Sequence, residues 1–368
     1  MFASTIRTSL ASSRKVTCSA TGVGGRCLSG GAGYGNVRDQ VLPTEQETER
    51  ELFQHCNYPR TANVISAPMT YGQPYVGTDC GPRWLKEAGL RSMLSNLGWR
   101  VKEAPALDFD DFSVHKPPKV NNSAKNSHIV GEGTLKLAKL VEETIVAGEF
   151  PLILGGDHSI GLGSLAAVLK ARPDVGIIWV DAHADLNTPN SSPSGNMHGM
   201  PIGLLMDGVL TPDEMPPGCE WVNDYPRISP DSIVYVGLRD VDSEERKLIR
   251  KLNIKAFTMT DIDRYGIGRV MEMSLGHLLQ DNPDRPLHLS YDIDAVDPVF
   301  APATGTTVRG GLTFREAHYV AESVAASGNL ASAEIVELNP NLSDGSGATE
   351  TVDLGLQIVT SLMGKSII

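Results

Sequence analysis

The chain has 368 residues, 41% hydrophobic and 21% charged, enough to bury the core of one large α/β domain or two smaller ones. Its formal net charge of -12 argues against nucleic acid or an anionic membrane as a partner. No apolar run reaches the ~18 residues that a membrane-spanning helix needs.

The first 38 residues differ from the rest. They carry Arg7, Arg14, Lys15, Arg26 and Arg38 with no acid before Asp39, and they are rich in Ser, Thr and Gly. That is the composition of an organelle transit peptide. Phe2, Ile6 and Leu10 stand four apart, as on one apolar helical face. Arg26-Cys27-Leu28-Ser29 is similar to the arginine-guided cleavage site of mitochondrial presequences. The expectation is a mitochondrial matrix protein; a plain disordered tail on a cytoplasmic one is the alternative. Residues 39–60 then form an extension before one folded domain over 61–368. Cys18, Cys27, Cys56, Cys80 and Cys219 are odd in number and widely spaced, with no C-x-x-C pair, which fits a reducing compartment.

From about residue 61, short apolar runs alternate with amphipathic stretches. Strands are predicted at Asn63–Ala67, Pro151–Leu154, Gly176–Val180, Ser232–Gly237, Pro286–Tyr291 and Ala331–Val336. They lack polar alternation, as strands buried on both faces of a parallel sheet do. Helices are predicted at Gly81–Leu97, Gly133–Ala147, Leu162–Ala171, Glu244–Leu252 and Phe314–Ala326. This order predicts an α/β fold: one doubly wound, mostly parallel sheet in a three-layer α/β/α domain. Asp108–Asn126, polar with two adjacent prolines, reads as an exposed excursion.

Three strands end in chemistry-bearing residues. Gly155-Gly156-Asp157-His158-Ser159 follows the strand ending at Leu154, Asp181-Ala182-His183-Ala184-Asp185 follows Val180, and Asp292-Ile293-Asp294 follows Tyr291. The carboxyl edge of a parallel sheet is where ligands bind. In an extended chain Asp181, His183 and Asp185 project to one side, as do Asp292 and Asp294. With His158 they make two imidazoles and four carboxylates, which repel unless a large positive charge compensates them. Two divalent ions supply it, and oxygen-rich ligation without thiolate favours a hard ion such as manganese. Gly161-Leu162-Gly163-Ser164-Leu165-Ala166 fits a dinucleotide fingerprint, but Gly161 comes seven positions after Leu154. Those glycines belong instead inside a helix against the sheet.

On these three segments and the sequence between them, including Ser290–Val308, the chain resembles the ureohydrolase family, and within it the arginase branch, from about Asn63 to the last helix. The resemblance implies an eight-stranded sheet and a binuclear manganese cluster, two Mn2+ per subunit. One ion would take His158, Asp181, Asp185 and Asp292, the other His183, Asp181, Asp292 and Asp294. It further implies hydrolysis of L-arginine to L-ornithine and urea by a metal-bridging hydroxide. Asp185 would carry the proton towards the leaving amine, and His198, in Gly195-Asn196-Met197-His198-Gly199, would be the proton shuttle. Asn187, Ser194 and Asn196 match contacts to the substrate α-carboxylate, Asp242 with Glu245 nearby those to the α-ammonium, Glu337 the guanidinium partner and Thr306 a further contact.

Agmatinase and guanidinobutyrase activities remain open as alternatives, as does a catalytically silent arginine-binding protein. The family expectation is a homotrimer, with a hexamer also considered. The chain ends at Ile368 without the extended tail by which animal-type members embrace a neighbouring subunit.

Overall fold

Among the described residues eight strands form one sheet, and six of them are those predicted. The computed structural model describes residues 60–109 and 124–365. The basic segment, Cys18, Cys27 and Cys56, the 39–60 extension but for its last residue, and residues 110–123 of the polar excursion lie outside the described residues. The strands are β1 (Thr61–Ala67), β2 (Arg100–Glu103), β3 (Phe150–Gly155), β4 (Gly176–Val180), β5 (Ile233–Leu238), β6 (Lys255–Thr258), β7 (Leu287–Asp292) and β8 (Leu330–Val336). Their order across the sheet is β2-β1-β3-β8-β7-β4-β5-β6, and every ladder is parallel.

The two strands not predicted are the edges. β2 reads RVKE and β6 reads KAFT, mostly half-buried or exposed. Charged residues suit an edge strand, where they discourage pairing with another chain, and they erase the apolar run by which inner strands are recognised.

The helices are α1 (Gly81–Glu87), α2 (Leu90–Asn96), α3 (Ser127–Val146), α4 (Gly161–Ala171), α5 (Pro201–Leu205), α6 (Ser243–Lys251), α7 (Met259–Leu279), α8 (Phe314–Ala326) and α9 (Gly345–Leu362). The predicted helix Gly81–Leu97 is two helices, broken where Gly89 takes a left-handed φ of +103°. α3 begins at Ser127, six residues before its expected start. α7 escaped prediction because Gly266, with a non-helical φ of +75°, interrupts its pattern. The glycines of the dinucleotide-like run lie in α4, Gly161 against Trp179 and Gly163 against Thr134.

Strand alternation sorts the core into two. Ile178, Val180, Leu289, Tyr291 and Ile335 pack with α1, α2, α7, α8 and α9 on one face. Ile153, Ile177, Trp179 and Tyr235 pack with α3, α4 and α5 on the other. The chain runs from β3 to β4, and β8 and β7 fill the gap between them. The loops after these four central strands therefore meet where the order of the sheet reverses, the usual ligand position in such folds.

Candidate metal centre

Each motif segment carries an aspartate that closes a turn. Asp157 Oδ1 accepts from Ser159 N–H (3.0 Å), Asp181 Oδ1 from His183 N–H (2.7 Å) and Asp292 Oδ1 from Asp294 N–H (2.7 Å). The i, i+2 spacing thus encodes an Asx turn, in which one carboxylate oxygen sets the backbone carrying the next functional side chain. Strand alternation, the expected cause of convergence, is corrected here. β4 stops at Val180, the following residues bend, and Asp185 takes a φ of +50°. Asp294 sits in a single 3-10 turn, Ile293–Ala295, capped by Asp292.

The donors converge on two centres. His158 Nδ1 lies 3.0 Å from Asp181 Oδ2, 3.1 Å from Asp185 Oδ2 and 3.1 Å from Asp292 Oδ2. His183 Nδ1 lies 3.3 Å from Asp181 Oδ1 and 3.1 Å from Asp294 Oδ2. Neighbouring ligands of an octahedral ion at about 2.1 Å stand about 3 Å apart, so these spacings fit an ion in each group. Asp181 serves both, one oxygen to each.

His158 tests the fit. Ser290 Oγ–H donates to Glu334 Oε1 (2.7 Å), so Ser290 Oγ accepts from His158 Nε2–H (2.8 Å). That leaves Nδ1 as the lone-pair nitrogen, buried and without a hydrogen-bond partner, facing three carboxylate oxygens. A lone pair against three anions is stable only with a cation between them. Four carboxylates and two imidazoles match the charge of two divalent ions.

The titration of the cluster says the same. Burial and the charges of Asp294 and Asp181 push Asp292 well above the carboxylate range. Burial and Asp181 push Asp185 up to about 6. Burial would lower His158, but Asp181, Asp185 and Asp292 raise it well above its ordinary value. For His183 burial is likewise outweighed by Asp294 and Asp181, and the shift is upward. Burial would raise Asp181, but His158 and His183 hold it below the carboxylate range.

Behind this cluster lie groups that the motifs did not reveal. Trp179 Nε1–H donates to Asp181 Oδ2 (3.0 Å), and its ring stacks on His158 at 4.0 Å and 5°. It lies in β4 two residues before Asp181, near enough along the chain for its indole to reach that carboxylate. Arg239 gives its guanidinium to the carbonyls of Asp294 (2.6 Å), Ala295 (3.0 Å) and Val308 (2.8 Å), bracing the turn that carries Asp294.

Glu337 follows β8 in a left-handed conformation, φ +65°. Its Oε1 accepts from His158 N–H (2.8 Å) and lies 3.3 Å from His198 Nδ1, while Oε2 accepts from Gln73 (2.7 Å). Gln73 comes from the loop after β1 and carries no motif; only its approach in space reveals it. Burial would lower the His198 pKa, but Glu337 raises it.

The cleft over the cluster is lined by His183, Asp185, Asn187, Ser194, His198, Asp242, Glu245, Asp292 and Thr306, and by Ser192 and Asp240, which the sequence did not single out. Asn187 Nδ2–H donates to Asp242 Oδ2 (2.9 Å), and Thr306 Oγ1–H to Asp294 Oδ2 (2.9 Å). Glu245 is almost fully buried, and each of its oxygens accepts a backbone N–H, from Asp242 and from Leu186. Burial pushes its carboxyl up to about 7. Asn196 is half-buried at the edge, with Lys125 Nζ 3.4 Å from its Oδ1. Glu337 is 1% exposed, beneath His198 rather than in the wall of the cleft.

The turn before His158 tolerates no side chain at Gly156, where a Cβ would stand 1.8 Å from the Met69 carbonyl oxygen. Gly156→Ala must push β1 and β3 apart at their carboxyl ends, and it is expected to lower unfolding free energy by about 3 kcal/mol. Urea denaturation checks this; an unchanged midpoint would contradict the packing.

The sequence profile of the Arginase family matches residues 60–364. An arginase from Glaciozyma antarctica is 43% identical over 84% of this chain and 89% of its own. Human arginase-1 is 42% identical over 83% and 93%. Among solved structures, the arginase of Bacillus caldovelox matches with a TM-score of 0.76 at 36% identity, covering 84% of this chain and 99% of that one. The Entamoeba histolytica arginase, solved with L-ornithine, matches with a TM-score of 0.73 at 31% identity over 84% and 100%. By the sheet order, the paired donor groups and these similarities, the chain is a hydrolase belonging to the arginase family.

Proposed function

We infer that this chain hydrolyses L-arginine to L-ornithine and urea with two manganese ions per subunit. One is held by His158, Asp181, Asp185 and Asp292, the other by His183, Asp181, Asp292 and Asp294. The observation that carries the reading is the pair of donor groups sharing Asp181, in a chain about 40% identical to arginases. Two divalent ions, when bound, supply Lewis acidity and bring the pKa of a water close to neutrality, so that hydroxide is available as nucleophile. The donor set, rich in oxygen and free of thiolate, favours manganese.

The chain's own residues orient the substrate and handle protons. Asp242, hydrogen-bonded to Asn187, faces the cleft and suits the α-ammonium. Asn187, Ser194 and Asn196 present amide and hydroxyl donors to the α-carboxylate. Glu337, ringed by Gln73, His158 N–H and His198, is the carboxylate that attracts the guanidinium. Thr306 and Glu245 hold the walls in place. After attack on the guanidinium carbon, the bond to the ornithine nitrogen breaks once that nitrogen is protonated. Asp185, which lines the cleft beside His158 Nδ1 (3.1 Å), is placed to pass that proton. His198, raised by Glu337 against its burial and 16% exposed, exchanges protons between the site and water.

Urea release from the manganese-loaded protein, with L-arginine and agmatine in parallel, tests this. Urea from L-arginine alone is expected, because agmatine has no carboxylate for Asn187 and Ser194. Urea from agmatine alone would overturn the substrate assignment and keep the hydrolytic one.

Composition supports mitochondrial import by the first 38 residues, and family resemblance supports a trimer. No helix among the described residues is long and apolar enough to cross a membrane.

A further inference from the structure

β7 and β8 lie side by side in the middle of the sheet, where inner faces should be wholly apolar. On one face they are, with Leu287, Leu289, Tyr291, Ala333 and Ile335. On the face towards α4 they carry His288 and Ser290 beside Ser332 and Glu334, each 0% exposed. The parallel register pairs His288 with Ser332 and Ser290 with Glu334. His288 Nδ1 lies 2.9 Å from Ser332 Oγ, and its Nε2 lies 3.7 Å from Glu334 Oε1. Ser290 Oγ–H donates to the same Glu334 oxygen at 2.7 Å, and His158 Nε2–H donates to Ser290 Oγ at 2.8 Å. The hydrogen-bonded chain runs from the buried Glu334 carboxylate through the Ser290 hydroxyl to the ring that faces Asp181, Asp185 and Asp292, with the His288 imidazole packed 3.7 Å from that carboxylate.

Burying a carboxylate in a sheet core is costly, and a well-packed apolar side chain is often more stabilising there. A group kept at that cost, two hydrogen bonds from one cation centre and none from the other, acts on the first. A carboxylate bonded through a hydroxyl to the far nitrogen of a histidine fixes the ring's tautomer and orientation and makes the near nitrogen a better donor.

We propose that Glu334, Ser290 and His288 are positioning residues for the ion at His158 alone. Ser290 holds the His158 ring, Glu334 supplies the charge that strengthens its Nδ1 as a ligand, and His288 holds Glu334 in place. The proposal rests on the binuclear reading of the centre, but it assigns the stripe to one ion of the two.

Equilibrium dialysis of the full chain against graded free Mn2+, with bound metal counted by mass spectrometry, tests it. Glu334→Gln keeps the shape and removes the charge. One of the two ions should bind about tenfold to hundredfold more weakly, the other with its original affinity. Ser290→Ala should give the same pattern, and it decides the matter if Glu334→Gln does not fold. His288→Asn should give a weaker shift of the same ion. Two unchanged affinities in Glu334→Gln and Ser290→Ala would overturn the proposal. So would equal weakening of both ions with a lower melting temperature of the metal-free variant, which is the mark of a merely structural role. A wild-type chain that binds fewer than two ions would instead bring down the binuclear reading, and this proposal with it.

Discussion

Asp181→Asn is expected to leave a folded chain that holds at most one divalent ion and releases urea about three orders of magnitude more slowly. Asp181 divides its oxygens, Oδ2 standing 3.0 Å from His158 Nδ1 and Oδ1 standing 3.3 Å from His183 Nδ1. Asparagine has one acceptor oxygen and an NH2 that cannot ligate a cation, so one donor group loses both an oxygen and a charge. Its NH2 must also face either Trp179 Nε1–H or His183 N–H, the two donors that now point at the carboxylate. A donor against a donor in a buried site adds a desolvation penalty of about 1–3 kcal/mol. Removing the electrostatic contribution of one ion costs several kcal/mol of transition-state stabilisation, hence about a thousandfold in rate. Metal counting together with urea release checks this. Two bound ions and undiminished turnover would remove Asp181 from the centre.

The second large effect concerns the ions themselves. Each ion at about 100 times its dissociation constant stabilises the folded chain by about 2.7 kcal/mol. For two ions, at about 2 °C or more per kcal/mol, chelation near neutral pH should lower the melting temperature by about 10 °C. The deficit should grow with pH. Asp185, raised by burial and Asp181 from 3.8 to about 6, contributes stability that is complete below 3.8 and lost as pH climbs through about 6. Asp292, raised by burial, Asp294 and Asp181, has the same sign over a wider span. His158 and His183, raised by their carboxylates against burial, contribute fully below 6.5 and lose that contribution on the way up. Asp181 is lowered by the two histidines and changes nothing between about pH 5 and pH 8. The metal-free chain is thus more stable at about pH 5.5 than at about pH 7.5. The loaded chain must release the protons that the ions displace, so its affinity rises with pH. Thermal unfolding with and without chelator at the two pH values checks both halves. A chelation effect that shrinks as pH rises would contradict the cluster's electrostatics.

The legible part of this molecule was its interior pattern. β1, β3, β4, β5, β7 and β8 are legible because a strand buried on both faces is mostly apolar. The positions just past β3 and β4 and at the end of β7 stand out because acids and histidines cluster there where the chain leaves the core, whereas His288 and Glu334 break the apolar pattern inside β7 and β8 without any local sign of what they meet. β2 and β6 were not found, since an edge strand has a polar side and needs none of the signal. α7 was hidden by a glycine that breaks its period without ending the element.

Which side chains stand at the carboxyl ends of the central strands is written locally in the chain, because strand length, apolar pattern and the identity of the terminal residue are all local. The Asx turns are equally local, an aspartate accepting its own i+2 N–H, but the alternation expected from the sequence missed them. Tertiary structure alone decided what those side chains face. Gln73 meets Glu337 across 264 positions, Ser290 meets Glu334 across 44, and His158 finds Asp292 only because β8 and β7 fill the gap between β3 and β4. Contacts of that separation depend on strand order, and strand order follows from how all the helices cover both faces of the sheet at once.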